Sequence, residues 1–161
     1  MEQHVARQRI KDHLRRRGFE PITLTTSVVT HWWRVLNTAV FDGKLPTPVR
    51  VDLVQHRKAY AWCYPLANKR VRLSICPRLN SRRLFLTILV HEMVHAWEHL
   101  NELTMGHGPS FFQHQNRIRR TTTLKLEQNL DETKHNDYDL IYPRNRSKNR
   151  VTVRSLAHNV S

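Results

Sequence analysis

Between Thr25 and Phe41 the apolar residues Val28, Val29, Trp32, Trp33, Leu36, Val40 and Phe41 recur at helical spacing, which predicts a helix with one face in the core. Thr25, Thr26 or Ser27 can cap its start, and Asp42-Gly43 ends it. At this spacing Trp32 and Trp33 read as core residues ahead of base-stacking groups. An earlier segment, from about Val5 to Arg17, reads as a basic helix closed by Gly18, with a thin apolar face of Ile10 and Leu14. The period then drops to two. Val49, Val51 and Leu53 alternate with Arg50 and Asp52, and Tyr60–Tyr64 and Val71–Ile75 read as two more strands. Pro65 to Lys69 turns between them. The expected fold class is therefore α+β, with helices packed on a small three-stranded antiparallel sheet. An edge of that sheet suits an extended peptide added as a further strand.

A third pattern starts after Asn80 or Ser81, either of which can cap a helix. Leu84, Phe85, Leu86, Ile88, Leu89, Val90, Met93, Val94, Ala96, Trp97 and Leu100 leave it apolar on most sides, the mark of a buried helix. His91, Glu92 and His95 sit in its middle. Buried polar groups without partners are costly, and one metal ion would satisfy all three. Residues four apart share a helix face, so His91 and His95 can aim ring nitrogens at one ion. Glu92, rotated by about 100° from His91, reaches a water at that ion without ligating it. His99 cannot join them, because it lies about 12 Å along the axis from His91. A third ligand has to come from chain that turns back. Gly106 and Gly108 flank His107 and permit the backbone angles of a sharp reversal, and Pro109-Ser110 starts another helix. His107 is the first choice for that ligand, with Glu98 and Glu102 as alternatives. HExxH is a short pattern in a chain with 11 His; the buried helix and the His107 return are what set it apart from a chance match. Phe111, Phe112, Gln115 and Ile118 suggest a further helix. Leu124, Leu126 and Leu130 finish a helix or strand, Tyr138–Tyr142 and Val151–Val153 read as short strands, and the polar, basic residues 143–150 read as a loop.

The 161 residues are enough for one domain with a real core. No run of about 18 apolar residues predicts a membrane span, and Met1–Arg7 lacks the apolar core of a signal peptide. Two cysteines, Cys63 and Cys76, fit a reducing, intracellular setting: cytoplasm or nucleoid, or host cytoplasm for a viral chain. They read as small strand residues and are too few for a zinc ribbon. Lys and Arg number 27 against 13 Asp and Glu, a net charge of +14. A solvated basic surface is the plain account; a nucleic-acid phosphate backbone is the partner such a field favours. The candidate contacts are Arg15, Arg16 and Arg17; Arg117, Arg119 and Arg120; and Arg144, Arg146, Lys148 and Arg150.

Four blocks, in order, resemble the SprT-like (Spartan-type) metallopeptidase family. They are Val35–Asn37 with Phe41–Pro46, Val71–Ser74, Thr87–Ala96, and Gly106–Phe112, within a span from Thr25 to about Arg120. The resemblance implies a zincin-like fold with HExxH on the central helix, and one zinc ion on His91, His95 and His107. It also implies Glu92 as catalytic acid/base. Relatives digest proteins crosslinked to DNA and are switched on by DNA, so DNA and DNA-bound proteins are the implied partners of a monomer that needs no membrane. The expected organisation is a basic N-terminal extension over residues 1–22, the SprT-like domain over 23–125 and a basic C-terminal extension over 126–161. Tyr60, Tyr64, His114 and Arg117 are candidates by type for stabilising an oxyanion. The rival expectation is a non-catalytic DNA-binding module with a structural zinc. A hydrolase of the nucleic acid itself ranks third, since nuclease sites more often use paired metals and several carboxylates.

Overall fold

In the computed structural model, which describes residues 1–55 and 59–128, the long apolar stretch becomes the helix around which the rest is arranged. This helix, α3, runs Arg82–Leu100. The hydroxyl of Ser81 caps it by accepting the Leu84 N–H at 2.9 Å. Its residues from Leu84 to Val94 are all buried, as a helix apolar on all sides requires. Helix α1 (Gln3–Arg17) and helix α2 (Thr26–Phe41) pack on each other and on α3. The thin apolar face of α1 is fully used: Ala6, Ile10 and Leu14 are all buried in the common core. Helix α2 starts at Thr25, whose side chain accepts from Val28 N. It ends at Asp42 and Gly43, both left-handed at φ 57° and 71°. Trp32 and Trp33 belong to the core, Trp33 with no exposed surface.

The sheet consists of β2 (Arg50–Leu53), β3 (Ala61–Pro65) and β4 (Val71–Ile75), in the order β2-β4-β3. It is mixed, which corrects the expected all-antiparallel arrangement. Strands β3 and β4 form an antiparallel hairpin, but β2 runs parallel to β4. The hairpin decides which edge β2 joins, whereas its direction follows from the long-range path of the chain, which local alternation does not encode. The hairpin is closed by a tight turn with Asn68 and Lys69 at φ 58° and 59°, so β4 must follow β3 as its neighbour. The backbone N–H of Cys63, on the other edge of β3, bonds the Glu92 carboxyl of α3. Strand β2 pairs with the edge of β4 that is left, and there its direction is parallel. Ala61 and Cys63, Val71, Leu73 and Ile75 face inward, while Trp62 points outward and is exposed. A second, two-stranded pairing had no signal in the sequence pattern. It joins β1 (Ile22–Thr23) antiparallel to β5 (Arg78–Leu79) and ties the α1–α2 connection to the start of α3.

After α3 the chain forms α4 (Pro109–Phe112) and α5 (Gln115–Thr122), two helices where one was suggested. The reversal itself is not made by glycine. Neither Gly106 nor Gly108 has a positive φ, and Glu102 does, at 59°. The Glu102 N–H bonds the His99 carbonyl at 3.1 Å and the Leu103 N–H bonds the Glu98 carbonyl at 2.9 Å. That is the Schellman closure of a helix C-terminus, with a glutamate where glycine is usual. No helix among the described residues is long and apolar enough to cross a membrane. Leu130, the suggested strands at Tyr138–Tyr142 and Val151–Val153, and the loop at 143–150 lie outside the described residues.

Candidate metal centre

Helix α3 places His91 and His95 one turn apart, and the return through Glu102 brings His107 back to them. The Nε2 atom of His91 lies 3.2 Å from Nε2 of His95 and 3.2 Å from Nε2 of His107. The ligand atoms of all three lie within 4.8 Å of one another. Tetrahedral zinc with zinc–imidazole bonds of roughly 2.0–2.1 Å separates its nitrogens by about 3.3 Å, so the donor set fits such an ion. The partners on the far sides of the rings fit it too. Nδ1 of His91 meets the carbonyl oxygen of Glu127 at 2.7 Å. A carbonyl only accepts, so the hydrogen sits on Nδ1 and Nε2 keeps its lone pair. Nδ1 of His95 meets the Glu98 carboxylate at 2.9 Å, with the same consequence. Lone pairs that face one another at 3.2 Å repel unless a cation stands between them.

The electrostatics favour the neutral forms of His91 and His107. Burial, then His95, pushes the His91 pKa down to about 3, against the opposing Glu127 carbonyl. Burial and His95 also lower the pKa of His107. Glu92, buried beside His91, is pushed up to about 8 by desolvation, opposed by the single N–H of Cys63. A bound dication would act in the other direction on this carboxyl. Burial raises the Cys63 thiol pKa, with Glu92 adding to the effect, and burial raises that of Cys76 to about 11.

Three contributors to the centre were not among the sequence candidates for these roles. Phe111, with no exposed surface, places its ring 4.8–5.2 Å from the rings of His91, His95 and His107. It sits four residues after His107, one helical turn in pattern terms, which is a usable signal. Glu98, an alternative ligand by sequence, lies on the Nδ1 side of His95, away from the cluster, and is fully buried. Its spacing of three from His95 was its only signal. The Glu127 carbonyl had none, being main chain from a distant segment. Glu102, the other alternative ligand, is exposed, with its carboxylate 3.9 Å from Lys69.

The basic candidates divide. Arg15 pairs with Asp12 at 3.1 Å and Arg17 with Glu20 at 2.8 Å, while Arg16 is exposed. All three occupy the last turn of α1, where cations favour the helix dipole. Arg119 and Arg120 take the same place on α5. The two helix ends meet at the start of α3: Arg83 donates its N–H to the Gly18 carbonyl at 2.9 Å and its guanidinium to the Thr123 carbonyl at 3.4 Å. Arg117 is held by Asp42 at 2.7 Å. Arg144, Arg146, Lys148 and Arg150 lie outside the described residues. Of the oxyanion candidates, Tyr64 lies under the Arg72 guanidinium at 4.2 Å, on the sheet face turned away from α3. His114 packs against Phe41 and Trp97 with ring centroids 5.5 and 4.4 Å away. Tyr60 is buried just before β3.

A search among curated proteins finds no match to this chain. A family model, that of the SprT-like family, matches residues 29–135, more than half of the chain and the whole of the histidine cluster. The chain thus belongs to the SprT-like family.

Proposed function

We propose that this protein is a zinc-dependent endopeptidase that cleaves proteins bound or crosslinked to DNA and is stimulated by DNA. One observation carries the enzymatic part. Three imidazole Nε2 atoms converge, and a buried carboxyl, Glu92, occupies the position next to the first of them. A structural site has no use for a carboxylate there, and it closes its fourth position with protein. Among the described residues the cluster has three such ligands.

His91, His95 and His107 would hold the ion. Bound zinc supplies Lewis acidity, polarising a carbonyl and lowering the pKa of water. Glu92 takes the proton of the attacking water and then delivers it to the amine that leaves. The N–H of Cys63 holds this carboxyl against β3. Phe111 and the surrounding apolar residues exclude bulk water from its side of the rings. The substrate would lie along β3. Cys76 N–H bonds the Tyr60 carbonyl at 2.8 Å, so even-numbered residues face β4 and the backbone groups of Ala61 and the carbonyl of Cys63 face outward. An extended peptide can pair with them. Pro65 brings no N–H to that edge.

The DNA part rests on the charge of +14. The same charge favours the second reading, a DNA-binding module with structural zinc. The test is cleavage of a DNA-binding protein substrate, and self-cleavage, by zinc-loaded protein with and without DNA, beside Glu92→Gln. Wild-type cleavage that rises with DNA, and a loss of about 10²–10⁴-fold in a variant that retains zinc, is expected. Full activity in Glu92→Gln refutes the mechanism. No cleavage by either, with salt-sensitive DNA binding kept, selects the binding module.

A further inference from the structure

We propose that Glu98 is a positioning residue of the metal centre, fixing the orientation and tautomer of His95 while fastening the segment that delivers His107. The inference rests on His91, His95 and His107 being metal ligands, and extends that set to a residue outside the HExxH pattern.

Glu98 has no exposed surface. Glutamate is almost never buried so fully unless paired. Its partners come from three parts of the chain. Oε1 meets His95 Nδ1 at 2.9 Å, one turn back on α3, and accepts the Gly106 N–H at 3.3 Å. Oε2 accepts the hydroxyl of Ser110 in α4. Both carboxylate oxygens are thus engaged. Gly106 and Ser110 bracket His107 in sequence, so the carboxylate holds the return segment on both sides of that histidine. The main chain of Glu98 assists, since its carbonyl accepts the Leu103 N–H where the chain reverses.

A purely structural account would make Glu98 an anchor for the loop, with Gly106 and Ser110 as its essential partners. The contact with His95 goes beyond that. A neutral imidazole carries its hydrogen on Nδ1 or on Nε2, and only the first tautomer leaves Nε2 able to ligate. In His95 it is Nε2 that faces His91 at 3.2 Å. The carboxylate on Nδ1 selects that tautomer, stops the ring from turning and raises the basicity of the other nitrogen. His91 receives the same tautomer from a neutral carbonyl; His95 receives it from a charged group, which binds its N–H more strongly.

The experiment measures zinc affinity of the full chain by competition with a chromophoric chelator, for wild type, Glu98→Gln and Ser110→Ala. Glu98→Gln keeps the shape and removes the charge. Ser110→Ala removes one loop fastener and leaves the partner of His95. Glu98→Gln should weaken zinc by about 10–100-fold, and Ser110→Ala by less than about 3-fold. Equal weakening in the two variants, or wild-type affinity in Glu98→Gln, overturns the proposal. Should Glu98→Gln not fold, the ¹⁵N shifts of His95 in zinc-free wild type decide. A single Nδ1–H tautomer is expected there, and a tautomer mixture overturns the proposal. Failure of wild type to bind zinc at all would instead remove the ligand assignment beneath it, whatever the variants do.

Discussion

Asn37 clamps the turn that follows α2, and its replacement should separate hydrogen bonding from packing. Its side chain donates Nδ2 to the Leu45 carbonyl at 2.8 Å and accepts the Leu45 N–H through Oδ1 at 3.1 Å. Asn37 and Leu45 are both buried, so water cannot replace either bond. The clamp draws Asp42 and Gly43 into left-handed conformations and sets Phe41 against His114, which in turn packs on Trp97 of α3. A net hydrogen bond contributes about 0.5–1.5 kcal/mol, and an orphaned buried partner costs about 1–3 kcal/mol. Asn37→Ala should therefore destabilise by about 2–4 kcal/mol, or about 5–15 °C in melting temperature at roughly 2–4 °C per kcal/mol. Asn37→Asp is the sharper test. The new carboxylate still accepts from the Leu45 N–H, but it turns an oxygen toward the Leu45 carbonyl in place of a donor. Its folded-state pKa must rise above the unfolded value of about 3.9. The folded state then binds more protons than the unfolded one, and the penalty grows as pH rises through that window. Urea unfolding of the metal-free chain at pH 4 and pH 8 reads this directly. Loss of less than about 0.5 kcal/mol in both variants, or a larger Asp penalty at pH 4 than at pH 8, refutes the argument.

Glu102→Gly should stabilise the chain by about 1 kcal/mol, because glycine takes the left-handed position at the end of α3 without the Cβ penalty; a lower melting temperature in the variant would count against it. Phe111→Ala should cost about 3–5 kcal/mol and weaken zinc binding as well, since its ring touches all three histidine rings; chelator competition on the folded variant checks the second part. His13, packed at a tilt against Trp32 with ring centroids 4.4 Å apart, is held down to about 4 by burial, with Arg82, Arg17 and His31 adding and Glu20 opposing. The unfolded chain therefore binds more protons between about pH 6.5 and 4, and this contribution to stability, present above 6.5, is lost as pH falls through that window. Unfolding profiles of wild type and His13→Phe should diverge there, and parallel profiles would refute the assignment.

How much of the site was legible depended on how local each signal was. Two histidines and a glutamate within five positions of one helix need no tertiary information, because 3.6 residues per turn puts His91 and His95 on one face and turns Glu92 about 100° from His91. The same holds for the stop at Asp42-Gly43, and for the caps to within a residue or two, the structure choosing Thr25 from Thr25, Thr26 and Ser27, and Ser81 over Asn80. The return of His107 was legible in outline, but its cause was misplaced. The glycines drew attention, whereas the left-handed residue is Glu102, and nothing in glutamate's chemistry advertises that conformation. The parallel pairing of β2 was out of reach of local patterning, since period-two alternation is the same in parallel and antiparallel strands of one sheet face.

The sequence by itself therefore determined the longer helices, the three main strands and the first two imidazoles of the cluster, all through local spacing. The tertiary structure alone decided what surrounds them. It turned Glu98 from a possible ligand into the carboxylate behind His95, brought the Glu127 carbonyl to His91, seated Phe111 beneath the three rings and placed Cys63 against Glu92. Apart from the local Glu98–His95 pair, whose carboxylate is fixed by Gly106 and Ser110 from the return segment, these contacts join segments far apart in the chain or use backbone groups that every residue possesses. They exist only once the core has closed.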